Sequence, residues 1–293
     1  MSAGVDKLEL LCTSIAELFH QLASDKGVRK WNYRRVLDLR QTDHKLPIIV
    51  YCDGVFDGRH KVEVIGVARV GHSRTLKILE EVIDDLSKVR ICRIDFCADL
   101  PGISVWDMAR ICCVGPSQNY QIYRNRTGDT VYLQRSKAKT IMLYDKKRRL
   151  RAKHDSRIAM LEPDEELTRI EVQLKGSGVP FKKLRHINRY ADLDLLAGLK
   201  LRHLIPIASH TKPLRAMAAA NLADQVEEYG LHAALKRFPS SQRAYIKKLF
   251  LEDIDGNDVP DIRGQMRRGI EDWLQDRIRF PRFPEVNSSD DRD

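Results

Sequence analysis

Three short stretches decide how this chain folds: Arg93-Ile94-Asp95-Phe96-Cys97-Ala98-Asp99, Thr140-Ile141-Met142-Leu143-Tyr144-Asp145-Lys146 and Arg169-Ile170-Glu171-Val172-Gln173-Leu174-Lys175. Each alternates, imperfectly, between apolar and chemically reactive residues, the period-two pattern of a half-buried strand. Successive side chains of a strand point to opposite faces. In the first stretch Ile94, Phe96 and Ala98 therefore oppose Arg93, Asp95, Cys97 and Asp99. In the third, Ile170, Val172 and Leu174 oppose Arg169, Glu171, Gln173 and Lys175, and in the second Ile141 and Leu143 oppose Tyr144 and Lys146. Strands of this design in one sheet give one face three carboxylates, a tyrosine and two arginines. Such a face suits metal and phosphate chemistry, not a core.

Outward from these strands, residues 6–23 carry Leu8, Leu11, Ile15, Leu18, Phe19 and Leu22 at helical spacing, which predicts an amphipathic helix. Residues 26–40 are basic and contain Trp31 and Tyr33, aromatics suited either to stacking bases or to covering a core. Residues 47–52 and 61–70 are strand-like, joined by a Gly- and Asp-rich turn. A helix is expected over 73–86 with Ser73 as its N-cap, and a shorter one over 105–114. Residues 119–124 and 130–134 form a hairpin pattern, and 147–166 a charged loop or short helix. Past Gly176 the patterning becomes helical, over 181–204, 214–229, 231–238, 243–251 and 262–279. The expected class is α+β: a largely antiparallel central sheet with flanking helices, followed by a helical C-terminal region. The expected division is a nicking domain over 1–208 with its motifs in 91–175, a helical region over 209–284 for origin recognition or self-association, and a disordered acidic tail over 285–293.

The composition is that of a globular protein: 293 residues, 43% hydrophobic, 31% charged, with a formal charge of +10. The charge is concentrated, with twelve Lys/Arg against three Asp in residues 124–157. A run of this kind around the Tyr144 strand suits a polyanion, most often nucleic acid. No secretory leader and no membrane-spanning apolar run are apparent, so a cytoplasmic location without membrane association is expected. Cys12, Cys52, Cys92, Cys97, Cys112 and Cys113 lack CxxC spacing and read as reduced, buried thiols. Cys97 alone shares the carboxylate face, as a small neighbour of the site rather than a nucleophile.

Asp95, Asp99 and Glu171 form a hard oxygen set that suits Mg²⁺ or Mn²⁺. A tyrosine hydroxyl can attack a phosphodiester when its proton is removed or its charge offset, and Lys146 on the Tyr144 face is the candidate for the second task. Tyr132 is the competing nucleophile. His154 lies in the basic run, no H-x-H pair occurs, and no Walker-type glycine loop is present.

In order, the motifs CRIDFCAD at 92–99, DTVYLQRSKAKTIMLYDKK at 129–147 and TRIEVQLK at 168–175 resemble the replication initiation factor (Rep_trans) family of plasmid and phage rolling-circle initiators. The resemblance covers residues 91–175. It implies that Tyr144 is the nicking tyrosine and Lys146 its lysine, and that Asp95, Asp99 and Glu171 are the metal-site acids. Arg93, Arg135, Lys137, Lys139, Lys147, Arg148, Arg149 and Arg169 are then candidate DNA contacts. The chain departs from the family pattern at Gln134, at Met142 two residues before Tyr144, and at Thr168 where a tryptophan is usual. The implied activity is metal-dependent, sequence-specific DNA nicking and rejoining through a 5′-phosphotyrosine. Its partners would be double- and single-stranded origin DNA, a host helicase and polymerase, and a second copy in a homodimer. A relaxase with the same chemistry and a non-catalytic DNA-binding regulator are the alternatives.

Overall fold

Val5, Leu8, Leu10 and Cys12 are buried, while Lys7 and Glu9 between them are half-exposed. That alternation makes Ala3–Cys12 a strand, not the start of a helix. The computed structural model of the protein describes residues 3–25, 32–41, 47–54, 57–114, 121–123, 129–155, 158–159, 161–162, 165–254 and 261–277. In chain order the elements are β1 (Ala3–Cys12), α1 (Glu17–Leu22), β2 (Ser24–Asp25), β3 (Tyr33–Asp38), β4 (Ile48–Gly54), β5 (His60–Ile65), α2 (Val67–Val70), α3 (His72–Val82), β6 (Arg90–Pro101), α4 (Val105–Ile111), β7 (Cys112–Val114), β8 (Gln121–Tyr123), β9 (Thr130–Arg135), β10 (Lys139–Asp145) and α5 (Lys146–Ala152). They continue with β11 (Leu167–Lys175), a 3₁₀ segment (Leu184–Asp192), β12 (Leu199–Leu204), α6 (Pro213–Tyr229), α7 (Leu231–Lys236), α8 (Ser240–Phe250), β13 (Leu251–Asp253) and α9 (Ile262–Leu274).

Ten strands form one sheet in the order β2-β3-β4-β5-β1-β6-β11-β10-β9-β8, with antiparallel pairing throughout. The three deciding strands are adjacent, β6-β11-β10, and the expected α+β class with a largely antiparallel sheet holds. One face of the sheet is the main core. Leu8, Leu10, Val62, Val64, Ile94, Phe96, Ile141, Leu143, Ile170 and Val172 pack there against Leu79 of α3, Met108 of α4, Tyr190, and Met266 and Trp273 of α9. Each fully buried aliphatic side chain contributes about 1.5–3 kcal/mol.

The N-terminal half departs most from its sequence pattern. Leu8, Leu11 and Ile15 mimic a helical stripe, but the interior set is Val5, Leu8, Leu10 and Cys12, and only Glu17–Leu22 is helical. Residues 181–204, expected to be helical, hold the 3₁₀ segment and β12, which bridges β7 and β13 in a separate three-stranded sheet. Ser73 does not cap α3: Gly71 occupies that position, and the Ser73 hydroxyl donates to Asp276 beyond α9. The C-terminal helices divide. α6, α7 and α8 bury a small core of their own around Leu222, Leu231, Leu235 and Phe250, while α9 joins the main core. Gly269 of α9 meets Gly4 of β1 so closely that a Cβ on Gly4 would lie 2.7 Å from the Gly269 carbonyl oxygen. Trp31, the turn of the β8–β9 hairpin and the 285–293 tail lie outside the described residues.

Candidate active site

The second sheet face carries the reactive residues, and register sets their neighbours. Tyr144 of β10 pairs with Arg169 of β11, which pairs with Asp99 of β6. One row along, Met142 pairs with Glu171 and Glu171 with Cys97; in the next, Gln173 pairs with Asp95 and Asp95 with Lys7 of β1. Directly opposed residues share a face, so Tyr144, Arg169, Asp99, Glu171, Gln173 and Asp95 line one surface, as the alternation requires. A register shift between Val5 and Lys7 adds Asp6 to it, and Asp6 Oδ1 accepts from Arg169 Nη1 at 3.3 Å.

At the centre, the Tyr144 hydroxyl donates to Glu171 Oε2 at 3.0 Å, and Gln173 Nε2 donates to Glu171 Oε1 at 2.7 Å. The phenol is 6% exposed, and burial pushes its pKa well up; Arg169 opposes this and Glu171 adds to it. A free phenolate is therefore costly, while a proton acceptor is already in place. The Arg149 guanidinium lies 4.3 Å from the Tyr144 ring centroid. It projects from α5, whose start is fixed by Asp145 accepting from the Arg148 amide at 2.9 Å. Lys146, expected beside the phenolate, instead donates to Asp99 Oδ2. Burial and the neighbouring Arg169 lower the Lys146 pKa, against the pull of Asp99.

Asp95, Asp99 and Glu171 share the face, but the cations on it already hold two of them. Arg93 grips Asp95 with Nε and Nη2 at 2.7 and 2.6 Å. Arg169 grips Asp99 through Nε at 2.6 Å and Nη2 at 3.1 Å. Burial pushes Asp95 up to about 6, with Arg93 opposing and Glu171 reinforcing the rise. Asp99 is buried too, yet Arg169 and Lys146 hold its pKa below the usual carboxylate value. The three acids are not among the groups of three potential ligands whose donor atoms lie within 4.8 Å of one another. Cys97 is fully buried, and burial drives its thiol pKa far upward, away from the thiolate that nucleophilic chemistry uses.

Among the described residues, the one group that meets that spacing is His20, Asp53 and His60, which could hold a metal ion. It lies at the opposite end of the sheet, between α1, β4 and β5. Some of its side-chain atoms already have partners. Arg35 donates to Asp53 Oδ2 through Nε at 3.0 Å and Nη2 at 2.8 Å, and Nη2 is 2.9 Å from His20 Nε2. The Asp53 amide donates to His60 Nδ1 at 3.2 Å. An ion there would compete with Arg35 for His20, whereas Asp53 Oδ1 faces His20 Nε2 at 3.3 Å away from the guanidinium contacts. No sequence spacing announces this triad, because its members come from three elements brought together by the sheet.

The candidate DNA contacts separate by burial. Arg135, Lys137 and Arg148 are exposed, and Arg149 and Lys139 are half-buried. Arg93 and Arg169 are committed to carboxylates. Lys147 is buried and donates to the Glu162 and Glu165 carbonyls, which removes it from the expected phosphate contacts. His154 is exposed just beyond α5 with φ 49°. Tyr132, the competing nucleophile, sits under Arg135 and edge-on to Tyr123. Gln173 was not singled out by sequence, although its place two residues after Glu171 puts it on the same face. No described helix is long and apolar enough to cross a membrane. In comparisons with known proteins, no family model matches the chain and no curated protein is significantly similar to it.

Proposed function

We propose that the protein is a nucleic-acid strand transferase that nicks and rejoins DNA through Tyr144, in the manner of a rolling-circle replication initiator. One observation carries this reading: a buried tyrosine whose hydroxyl donates to a carboxylate, Tyr144 to Glu171 at 3.0 Å, beneath the Arg149 guanidinium. Any buried tyrosine needs a hydrogen-bond partner, but a carboxylate acceptor together with a guanidinium over the ring is more than packing requires. In the reaction, Tyr144 Oη forms a bond to the scissile phosphorus as its proton passes to Glu171. The bond from phosphorus to the 3′ oxygen breaks, and that oxygen takes the proton, leaving a 3′-OH and a 5′-phosphotyrosine. Gln173 orients Glu171, and Arg149 offsets charge that develops on the phosphoryl oxygens.

Mg²⁺ or Mn²⁺ belongs to this reading as the ion that carboxylates favour and that would polarise the phosphate. The face as arranged does not fit it well, because Arg93, Arg169 and Lys146 hold Asp95 and Asp99. Origin DNA and a separate helicase and polymerase would be the partners, since the sequence has no Walker-type loop. The test is an SDS-resistant adduct on a labelled single-stranded origin oligonucleotide, compared among wild type, Tyr132→Phe and Tyr144→Phe. Loss of the adduct in Tyr144→Phe alone supports the assignment. An adduct that persists there and vanishes in Tyr132→Phe moves the nucleophile to β9.

A further inference from the structure

At the β8 edge, the reactive face ends in an aromatic cluster that the strand-transfer chemistry does not use. Tyr123 pairs with Thr130 and Thr130 with Tyr144, while Tyr132 pairs with Met142 and Met142 with Glu171. Both tyrosines thus continue the rows of the candidate active site, each two strands away, about 10 Å at the usual strand spacing. The two rings meet edge to face at 5.3 Å and 77°, and the Arg135 guanidinium lies 5.7 Å from one centroid and 5.2 Å from the other. Arg135 Nη1 donates to Tyr123 Oη at 2.6 Å and to Gln121 Oε1 at 2.7 Å, which fixes the guanidinium above the rings.

A comparable cluster at the far end of the sheet shows what a purely internal one looks like. Lys61 Nζ lies 4.2 Å from the Tyr51 centroid, but Tyr51 is 5% exposed and Lys61 is bonded to Glu63 and close to Glu9. That cation is neutralised and that ring is covered. At the β8 edge Tyr123 is 43% exposed, Arg135 is exposed, and no carboxylate among the described residues pairs with Arg135. Lys137, two residues further along the chain, is exposed as well. An exposed Tyr123 and a half-buried Tyr132 beneath a guanidinium with no carboxylate partner among the described residues, in a strongly basic region, match a stacked base with a phosphate beside it.

We propose that Tyr123, Tyr132 and Arg135 form a nucleobase-stacking subsite that holds single-stranded DNA, seating a base near the nucleotide whose phosphate meets Tyr144. The proposal rests on the strand-transfer reading but is tested by binding, without cleavage. Fluorescence anisotropy would compare a labelled oligothymidylate with an abasic strand of equal length and charge. The full-length proteins would be wild type, Tyr123→Leu/Tyr132→Leu and Tyr123→Phe/Tyr132→Phe. Wild type is expected to bind the thymidylate about tenfold or more tighter than the abasic strand, a margin lost in the leucine variant and kept in the phenylalanine variant. Equal binding of the two strands by wild type overturns the subsite and leaves the Tyr144 adduct untouched. A leucine variant that keeps the margin overturns it as well. If wild type binds neither strand at low salt, the subsite and the strand-transfer reading fall together. The phenylalanine variant keeps both rings, so a shared loss in both variants with unaltered melting assigns the effect to the hydroxyls and also overturns stacking.

Discussion

At the scale of single residues, the reactive set was legible in the sequence, but its pairing was not. Alternation placed Asp95, Asp99, Tyr144, Arg169 and Glu171 on one face. Which cation meets which acid depends on register between strands some seventy residues apart, as with Arg169 and Asp99 (separation 70). Lys146 was read as a partner of Tyr144 because it lies two residues on, but β10 ends at Asp145, and the helical turn sends Lys146 to Asp99. Two outcomes follow from these contacts. Glu171→Gln keeps an oxygen to accept the Tyr144 hydrogen bond but removes the base. Adduct formation should fall about 100-fold or more while oligonucleotide binding holds, measured by gel and anisotropy. An unchanged rate would mean the phenol proton leaves by another route. Arg169→Ala leaves Asp99, 2% exposed, with Lys146 as its remaining cation. A loss of about 3–5 kcal/mol in urea unfolding is expected, because one member of a buried ion pair is removed.

At the scale of elements, strands with a reactive face declared themselves, whereas β1 was hidden by a coincidence of spacing. Leu8, Leu11 and Ile15 satisfy a helix, and only the neighbours β5 and β6, invisible in a local window, make the extended form pay. The 3₁₀ segment and β12 escaped for the same reason, since contacts with Val89, Phe96 and β7 shape them. α5 holds a local signal that the reading of 147–166 as a charged loop or short helix passed over: Asp145 is a side-chain cap at the point where strand becomes helix. Asp145→Ala should cost about 1 kcal/mol of stability and loosen Arg149 over the Tyr144 ring. Adduct formation slowed by more than the melting change explains would show that the cap positions the site.

At the scale of the whole molecule, the last described helix closes over the first strand. Trp273 meets His72 edge to face at 5.0 Å, and Asp276 accepts from the Ser73 amide at 3.0 Å. Burial holds the His72 pKa below its usual 6.5, against the pull of Asp276. A base whose folded pKa is depressed favours the unfolded chain once protonated, so this stability is full above 6.5 and lost as pH falls through the folded value. His60, lowered by burial despite Asp53, acts in the same direction. Asp95, raised to about 6, acts in the opposite direction over the same window, so the histidine contribution is read by difference: between about pH 7 and about pH 5 the urea midpoint of wild type should fall relative to that of His72→Phe. Gly269→Ala tests the seam itself: the added Cβ would lie 2.4 Å from the Ala3 carbonyl carbon, backbone that cannot yield cheaply. A loss of about 1–3 kcal/mol or more is expected in the same assay. The seam also bears on synthesis. β1 leaves the ribosome well before α9, the helix that covers it about 250 residues further along the chain. Until then the stretch of β1 that α9 covers stays open, an apolar surface of the kind through which incomplete chains stick to one another.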